Sequence, residues 1–328
     1  MSYSAKVLTN EWHSDELSDY MSDNSPLKEY ARLTDIEFDS LVDFNTSRLI
    51  AKQRRGAVCL TALSAEDTVG ALGYFEGDTA LSEAIGNTVS FGRCFCNDDI
   101  DDASLDLLSR AIDEVCTEQS ASVCRIKCDG STPLRRYLEL QGFVYYYSTV
   151  KYIYHQGLQP RLDIAPPIDA CVERTDADDM SFEILIAHQT TERYNHPYLP
   201  SASLAEYYRE WWKRKINHTD TLIFRAVDSN GDMLAMAVCS KPQYMQEITN
   251  IPLYIVDFLY TAPSFRRMGI GAWFLSSILN RLSPATIETS CSVENGSIRR
   301  LLERVGFRQG EDFDYFAKRY NRAIPAIP

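Results

Sequence analysis

Seven consecutive residues, Arg266-Arg267-Met268-Gly269-Ile270-Gly271-Ala272, place two cations and a Gly-x-Gly where one structural element gives way to another. The apolar run 255–261 before them reads as a buried strand, and 273–279 after them reads as helix. A strand feeding a Gly-rich turn at a helix N-terminus aims several backbone N–H groups at one point, which makes a site for an anion. The glycines let the main chain approach a ligand closely, and the arginines add charge. A plain strand-to-helix turn that needed flexible residues is the alternative. The Arg pair, the glycines and the strand–helix context together favour the anion site. The spacing excludes the common nucleotide loops: no Gly-Lys-Ser/Thr follows, and there is no third glycine after a first parallel strand.

A second motif lies about 30 residues downstream, Asn295-Gly-Ser-Ile-Arg-Arg-Leu-Leu-Glu-Arg-Val-Gly306-Phe307. Taken with Ala262-Pro263 and Arg266-x-x-Gly269-x-Gly271, it resembles the GNAT superfamily of acyl-CoA-dependent N-acyltransferases over roughly residues 169–322. The resemblance implies an α/β fold (an α+β mixed sheet) split in its middle, acetyl-CoA as acyl donor, and no metal. It also implies that the main chain at Leu259, Tyr260 and Thr261 holds the pantetheine arm and the thioester carbonyl. Arg266, Arg267, Met268, Gly269, Ile270, Gly271 and Ala272 would then hold the diphosphate, and Asn295 would mark the second half of the coenzyme site.

Acyl transfer to an amine needs positioning, stabilisation of an oxyanion and removal of a proton. Asp257 is the one carboxylate on the central strand and shares a strand face with Leu259. Burial would raise its pKa towards a base's working range; a structural carboxylate paired with an arginine is the alternative. Many GNAT enzymes carry a tyrosine four residues before the final Gly of the second motif, as acid for the departing thiolate. Here that position is Leu302, leaving Tyr260 and Tyr315 as candidate hydroxyls.

The loop and helix containing Arg193, Tyr194, His196, Tyr198, Tyr208 and Trp211 resemble the sugar-nucleotide N-acetyltransferases, the TDP-fucosamine enzymes among them. Aromatic rings there would stack on sugar or base, and Arg193 would grip a phosphate. The helical aromatics serve equally well as a buried face. The expected substrate is a small-molecule amine such as a nucleotide-linked amino sugar. A protein or polyamine acceptor, and a non-catalytic acyl-CoA sensor, remain the alternatives.

The 328 residues suit two domains. Leu134-Arg-Arg-Tyr-Leu-Glu-Leu-Gln-Gly142-Phe143 and Ile298-Arg-Arg-Leu-Leu-Glu-Arg-Val-Gly306-Phe307 share six of ten residues at an offset of 164, which favours a duplication. The expected layout is tandem GNAT-like domains: 1–155, a degenerate copy; 156–168, a Pro-containing linker; and 169–328, the catalytic domain. In the first copy Asn97-Asp98-Asp99-Ile100-Asp101-Asp102 stands where the anion loop would be, a run suited to starting a helix and not to holding diphosphate. Residues 1–168 carry 15 Lys and Arg against 26 Asp and Glu, a balance of −11, which argues against nucleic acid as partner. Nine scattered cysteines without zinc-site spacing, and no apolar run of membrane-span length, suit a cytoplasmic protein with reduced thiols. A homodimer is compatible with the sequence.

In the second half, helices are expected at 177–189 (entered through Thr175-Asp176), 204–216 and 295–305. Strands are expected at 221–227, 233–240, 286–292 and 315–320, besides the one ending at Thr261.

Overall fold

A computed structural model describes residues 5–6, 14–23, 25–63, 69–96, 100, 102–129, 133–158, 162–176, 178–191, 196–199, 201–217, 220–243 and 246–320. The first half opens with β1 (Ala5–Lys6), α1 (Ser14–Ser22), α2 (Ser25–Thr34) and α3 (Phe38–Arg54). There follow β2 (Val58–Leu63), β3 (Val69–Gly77), α4 (Thr79–Ile85) and β4 (Thr88–Cys96). It closes with α5 (Asp102–Glu118), β5 (Val123–Asp129), α6 (Pro133–Leu140) and β6 (Val144–His155). The second half repeats the plan with β7 (Ala170–Thr175), α7 (Asp179–Thr191), α8 (Ser201–Ile216), β8 (Thr221–Asp228) and β9 (Met233–Ser240). It ends with β10 (Leu253–Thr261), α9 (Ile270–Leu282), β11 (Thr286–Ser292), α10 (Gly296–Arg304) and β12 (Arg308–Arg319).

All twelve strands among the described residues form one mixed sheet in the order β1-β2-β3-β4-β5-β12-β6-β11-β10-β9-β8-β7. The last strand of each half therefore leaves its own half. β12 runs antiparallel to β5, from Phe313↔Asp129 to Arg319↔Val123. β6 runs antiparallel to β11, from Thr286↔His155 to Ser292↔Thr149. The two exchanged strands also pair with each other. Each half thus completes the sheet of the other, and the edge that a free half would expose is covered.

Alternation along these strands sets the two faces. Cys124, Ile126 and Cys128 of β5 pack under α5 and α6, and Leu234, Ala237 and Cys239 of β9 pack under α9. On the opposite face α1–α3 cover Cys59, Leu72 and Ile153, while Trp212 of α8 is fully buried against Met236, Val238 and Phe258. β9 has apolar residues at both faces and is buried on both, as its unbroken run of small and branched side chains requires.

The second-half elements follow the sequence expectation, with three differences. Helix α7 is entered at Asp178, whose Oδ1 accepts from Ser181 N at 2.8 Å, and not at Thr175-Asp176. Helix α8 begins at Ser201, three residues before the expected start. β12 begins at Arg308 instead of residue 315. Its polar start (Arg308, Gln309) carries no alternating apolar signal; it is held by backbone pairing to Ile153 and Tyr152 of the exchanged strand. In the first half, Asp102 sits in the first turn of α5. Asn97, Asp98, Asp99 and Asp101 lie outside the described residues, as does part of the 156–168 segment. No helix among the described residues is long and apolar enough to cross a membrane.

Candidate active site

The central strands part where the chemistry was expected. β10 and β11 run parallel from Leu253↔Thr286 to Val256↔Thr289, and the pairing stops there. Thr289 Oγ1 donates to the Val256 carbonyl at 2.9 Å and closes the pair. On its other edge β10 stays paired to β9 as far as Thr261↔Ala235, with a register shift around Asp257. Residues 257–261 therefore present an open main-chain edge towards β11. β4 and β5 part in the same way after Phe91↔Ile126, so both halves have the split.

The open edge of β10 leads straight into the loop 266–272. Residues 263–265 form a 3-10 turn, Arg266 Nε donates to the Thr261 carbonyl at 3.1 Å, and Gly269 caps α9. Gly269 has φ +85°, a left-handed conformation that a side chain opposes. A Cβ on Gly271 would meet Thr261 Oγ1 at 3.3 Å and a Leu301 methyl at 3.4 Å, so the first turn of α9 lies directly against the end of β10. The loop residues Arg266, Arg267, Met268 and Gly269 are exposed, whereas Ile270 and Ala272 are anchored in the core. An exposed helix N-terminus with glycines at its two tightest points fits a diphosphate.

Beside this edge lies a cavity of about 380 Å³. The second half supplies one end: Val256, Asp257, Phe258 and Leu259 of β10, Ser290, Cys291 and Ser292 of β11, then Asn295, Ile298 and Leu302. The other end is walled by the first half, through Arg125, Tyr146, Tyr147 and Thr149. His188, His196, Tyr207, Tyr208 and Trp211 roof the space between them.

Of the residues singled out in the sequence, Asp257, Leu259, Asn295, His196, Tyr208 and Trp211 line this cavity. Arg193 and Tyr194 lie outside the described residues. Tyr198 is buried behind His196, its ring 5.8 Å from the imidazole. Tyr260 points into the core with Phe258, the two rings stacked at 6.3 Å between centroids. Leu302 is buried in the core and closes the cavity floor. Tyr315 lies outside the lining, stacked on Tyr147 at 4.2 Å. Asn295 caps α10, its Oδ1 accepting from Ile298 N at 3.2 Å.

Asp257 is held on both sides. Its Oδ1 accepts from Lys215 Nζ at 2.5 Å and its Oδ2 from Ser240 Oγ at 2.6 Å. Burial pushes its pKa above the usual carboxylate range, and Lys215 and Ser240 pull against that shift. Lys215 also lies over the Trp211 ring, 5.1 Å from its centre, so one charge ties α8 to β10.

His196 behaves differently from an exposed loop histidine. Only 6% of it is exposed, and burial, aided by the nearby Arg125 charge, depresses its pKa to about 3. Its Nδ1 accepts from Tyr198 N at 3.3 Å, which assigns the proton of the neutral ring to Nε2. The folded state keeps this ring neutral while the unfolded chain takes up a proton near pH 6.5. His196 therefore contributes stability that is whole above pH 6.5 and is lost as the pH falls towards 3, at up to about 1.4 kcal/mol per pH unit. In His196→Asn, whose side-chain oxygen can replace Nδ1, the acid-side slope of urea-unfolding free energy is expected to flatten over that window; an unchanged slope contradicts the assignment.

Arg125, Tyr146, Tyr147 and Tyr207 were not singled out in the sequence, nor was Lys215. The run Tyr145-Tyr146-Tyr147 was the available signal, but only the strand exchange brings it to the second-half site.

Residues 186–307 match the model of the Acetyltransferase (GNAT) family. No curated protein matches the chain by sequence. Among solved structures, the GCN5-related N-acetyltransferase from Sphaerobacter thermophilus is similar with a TM-score of 0.55 and 11% identity, over 86% of this chain and 87% of that one. The tandem GNAT protein from the clavulanic acid biosynthesis pathway is similar with a TM-score of 0.50 and 10% identity, over 98% of each chain. Residues 186–307 thus form a GNAT acetyltransferase domain, whose enzyme class is acyl-CoA-dependent N-acyltransferase, and the whole chain has the tandem GNAT fold.

Proposed function

We propose that the chain transfers the acetyl group of acetyl-CoA to the primary amine of a small molecule bound in the cavity between the halves, a nucleotide-linked amino sugar being the acceptor class that its aromatic lining suits best. The observation that carries this reading is the open edge of β10, which runs without a break into the anion loop while the cavity opens at its side. On this reading residues 169–328 form the catalytic domain. Residues 1–155 form a partner domain that lacks an anion loop and supplies a wall of the acceptor site, with 156–168 as the linker.

The loop 266–272 takes the diphosphate, and the main chain at Leu259, Tyr260 and Thr261 takes the pantetheine arm and the carbonyl, so that the thioester lies beside Asp257 and Asn295. A neutral amine attacks that carbonyl and the coenzyme leaves as its thiolate. Asp257, aided by Lys215 and Ser240, accepts the proton that the amine must lose. Leu302 offers no acid to the leaving group. A thiol with a pKa of ~8.5 leaves near neutrality without one, so the tyrosine of related enzymes is dispensable here. His196, Tyr208 and Trp211 surround the acceptor, and stacking on an aromatic face suits a sugar ring.

The test is release of free thiol from acetyl-CoA over a panel of amines, with amino sugars and their nucleotide-linked forms beside peptides and polyamines. Turnover confined to peptides or polyamines overturns the acceptor assignment. Failure of acetyl-CoA to bind overturns the whole reading.

A further inference from the structure

The wall that the first half contributes to the cavity is polar in a specific way. Arg125, on β5, stands among the hydroxyls and rings of Tyr146, Tyr147, Tyr207 and Tyr315, and about a third of its side chain is exposed. Its one ion-pair partner among the described residues is Asp78, with 3.7 Å between Nη1 and Oδ2. That is beyond hydrogen-bond distance. Asp78 is also committed elsewhere: Oδ1 accepts from Leu81 N at 3.1 Å as the cap of α4, and Oδ2 accepts from Ser90 Oγ at 3.2 Å. The fork of donors on Arg125 is therefore largely unspent.

A second donor belongs to His196, which lines the same cavity. Nε2 of His196, which carries the ring proton, is buried and has no hydrogen-bond partner among the described residues. An unmet N–H in so dry a place is costly unless a ligand accepts from it.

The duplicated fold supplies an internal comparison. Ser90 pairs with Arg125 in the first half as Ile255 pairs with Glu288 in the second, each in the third rung of its parallel ladder. The side chain of Glu288 is closed off by the protein itself, since Tyr30 of α2 donates to its Oε1. At the matching position Arg125 faces the cavity instead.

We propose that this end of the cavity is an anion subsite: the acceptor amine carries a carboxylate or phosphate group that accepts from the Arg125 guanidinium and from His196 Nε2–H, and the first half selects the substrate through it. The inference rests on the acetyl-transfer reading and narrows its acceptor class. A diphosphate-linked amino sugar carries such a group, and so does an amino acid. A polyamine or a lysine side chain flanked by cations would bring a second positive charge against Arg125.

The experiment uses the full chain and two matched pairs of amines, galactosamine 1-phosphate against galactosamine and 4-aminobutyrate against butylamine. Free-thiol release should favour the anionic member of at least one pair by about 10- to 100-fold in kcat/KM, the range expected of a charge-assisted pair of hydrogen bonds. The first pair reports phosphate and the second carboxylate. Arg125→Met should collapse that preference to about threefold or less, and Arg125→Lys, which keeps the charge without the fork, should leave it intermediate. Acetyl-CoA binding by calorimetry shows that each variant is folded. Equal rates within both pairs, or a preference that survives Arg125→Met, overturn the subsite.

If acetyl-CoA binds and no amine is acetylated, it is the acetyl-transfer reading that fails. The subsite is then read by titrating galactosamine 1-phosphate and 4-aminobutyrate into coenzyme A-loaded protein. Binding that is lost in Arg125→Met sustains it, and no binding of either overturns it.

Discussion

Gly269→Glu is expected to abolish acetyl-CoA binding while the protein stays folded. Two independent penalties act at this position. Gly269 has φ +85°, and any residue with a Cβ pays about 1–2 kcal/mol there. The second penalty is electrostatic: the new carboxylate stands at the N-terminus of α9, where it occupies the N–H groups and repels the diphosphate. The Cβ itself meets no clash, because the nearest atom to it at this site is a Pro167 carbon at 4.0 Å. The two effects are therefore separable. Gly269→Ala carries only the backbone cost; if the free loop relieves it by leaving the left-handed conformation, the cost reappears on binding and acetyl-CoA should bind up to about tenfold more weakly in calorimetry, since ~1.4 kcal/mol is a factor of ten. The glutamate variant should lose at least a further tenfold, with an unfolding midpoint close to that of the alanine variant. Equal binding by the native and glutamate proteins would remove the diphosphate from this loop.

The features that could be read in the sequence are those written locally. The strand-to-helix loop 266–272 was legible because its glycines and arginines sit between two elements of clear periodicity, and α9 and β11 lie where their patterns placed them. The duplication was legible from the shared segments ending at Phe143 and Phe307. That same likeness hid the strand exchange. β6 and β12 follow equivalent helices at the same offset, so either one satisfies the edge left by β5 or by β11, and no local pattern records which of them does so. The acceptor side of the site depends on that choice. Arg125, between Cys124 and Ile126 on an alternating strand, reads as a solvent-facing residue; α8 and the 196–199 segment close over it and make it a cavity wall. His196 before Pro197 reads, taken alone, as solvated and counts as a substrate contact only through its loop neighbours, yet it is buried against Tyr146 of the first half, 5.3 Å between ring centres. Such contacts span long stretches of chain, and no spacing rule reaches them.

Asp257→Asn separates a base from an anchor. As a base, Asp257 sets the acid limb of the rate profile: kcat/KM rises with pH as the carboxylate loses its proton, and burial has moved that step above the ordinary carboxylate range. The asparagine variant should lose about 100-fold or more in kcat, within the span of general-base effects, and its acid limb should vanish. Stability moves in a way fixed by the same shift. A raised pKa means that the folded state holds this proton more tightly than the unfolded chain does. The contribution of Asp257 is thus most favourable at low pH and declines as the pH rises from 3.8 through the raised folded value. The asparagine variant lacks that decline, but it leaves Lys215, a quarter exposed, without its counter-charge, and so it loses stability at neutral pH. Lys215→Met supplies the deciding measurement. Removing the cation that holds the Asp257 pKa down should move the acid limb of kcat/KM to higher pH, with the limb still present. An acid limb that stays in place in Lys215→Met, together with native kcat in Asp257→Asn, would make Asp257 the anchor that ties α8 to β10 and would leave the proton of the amine to water.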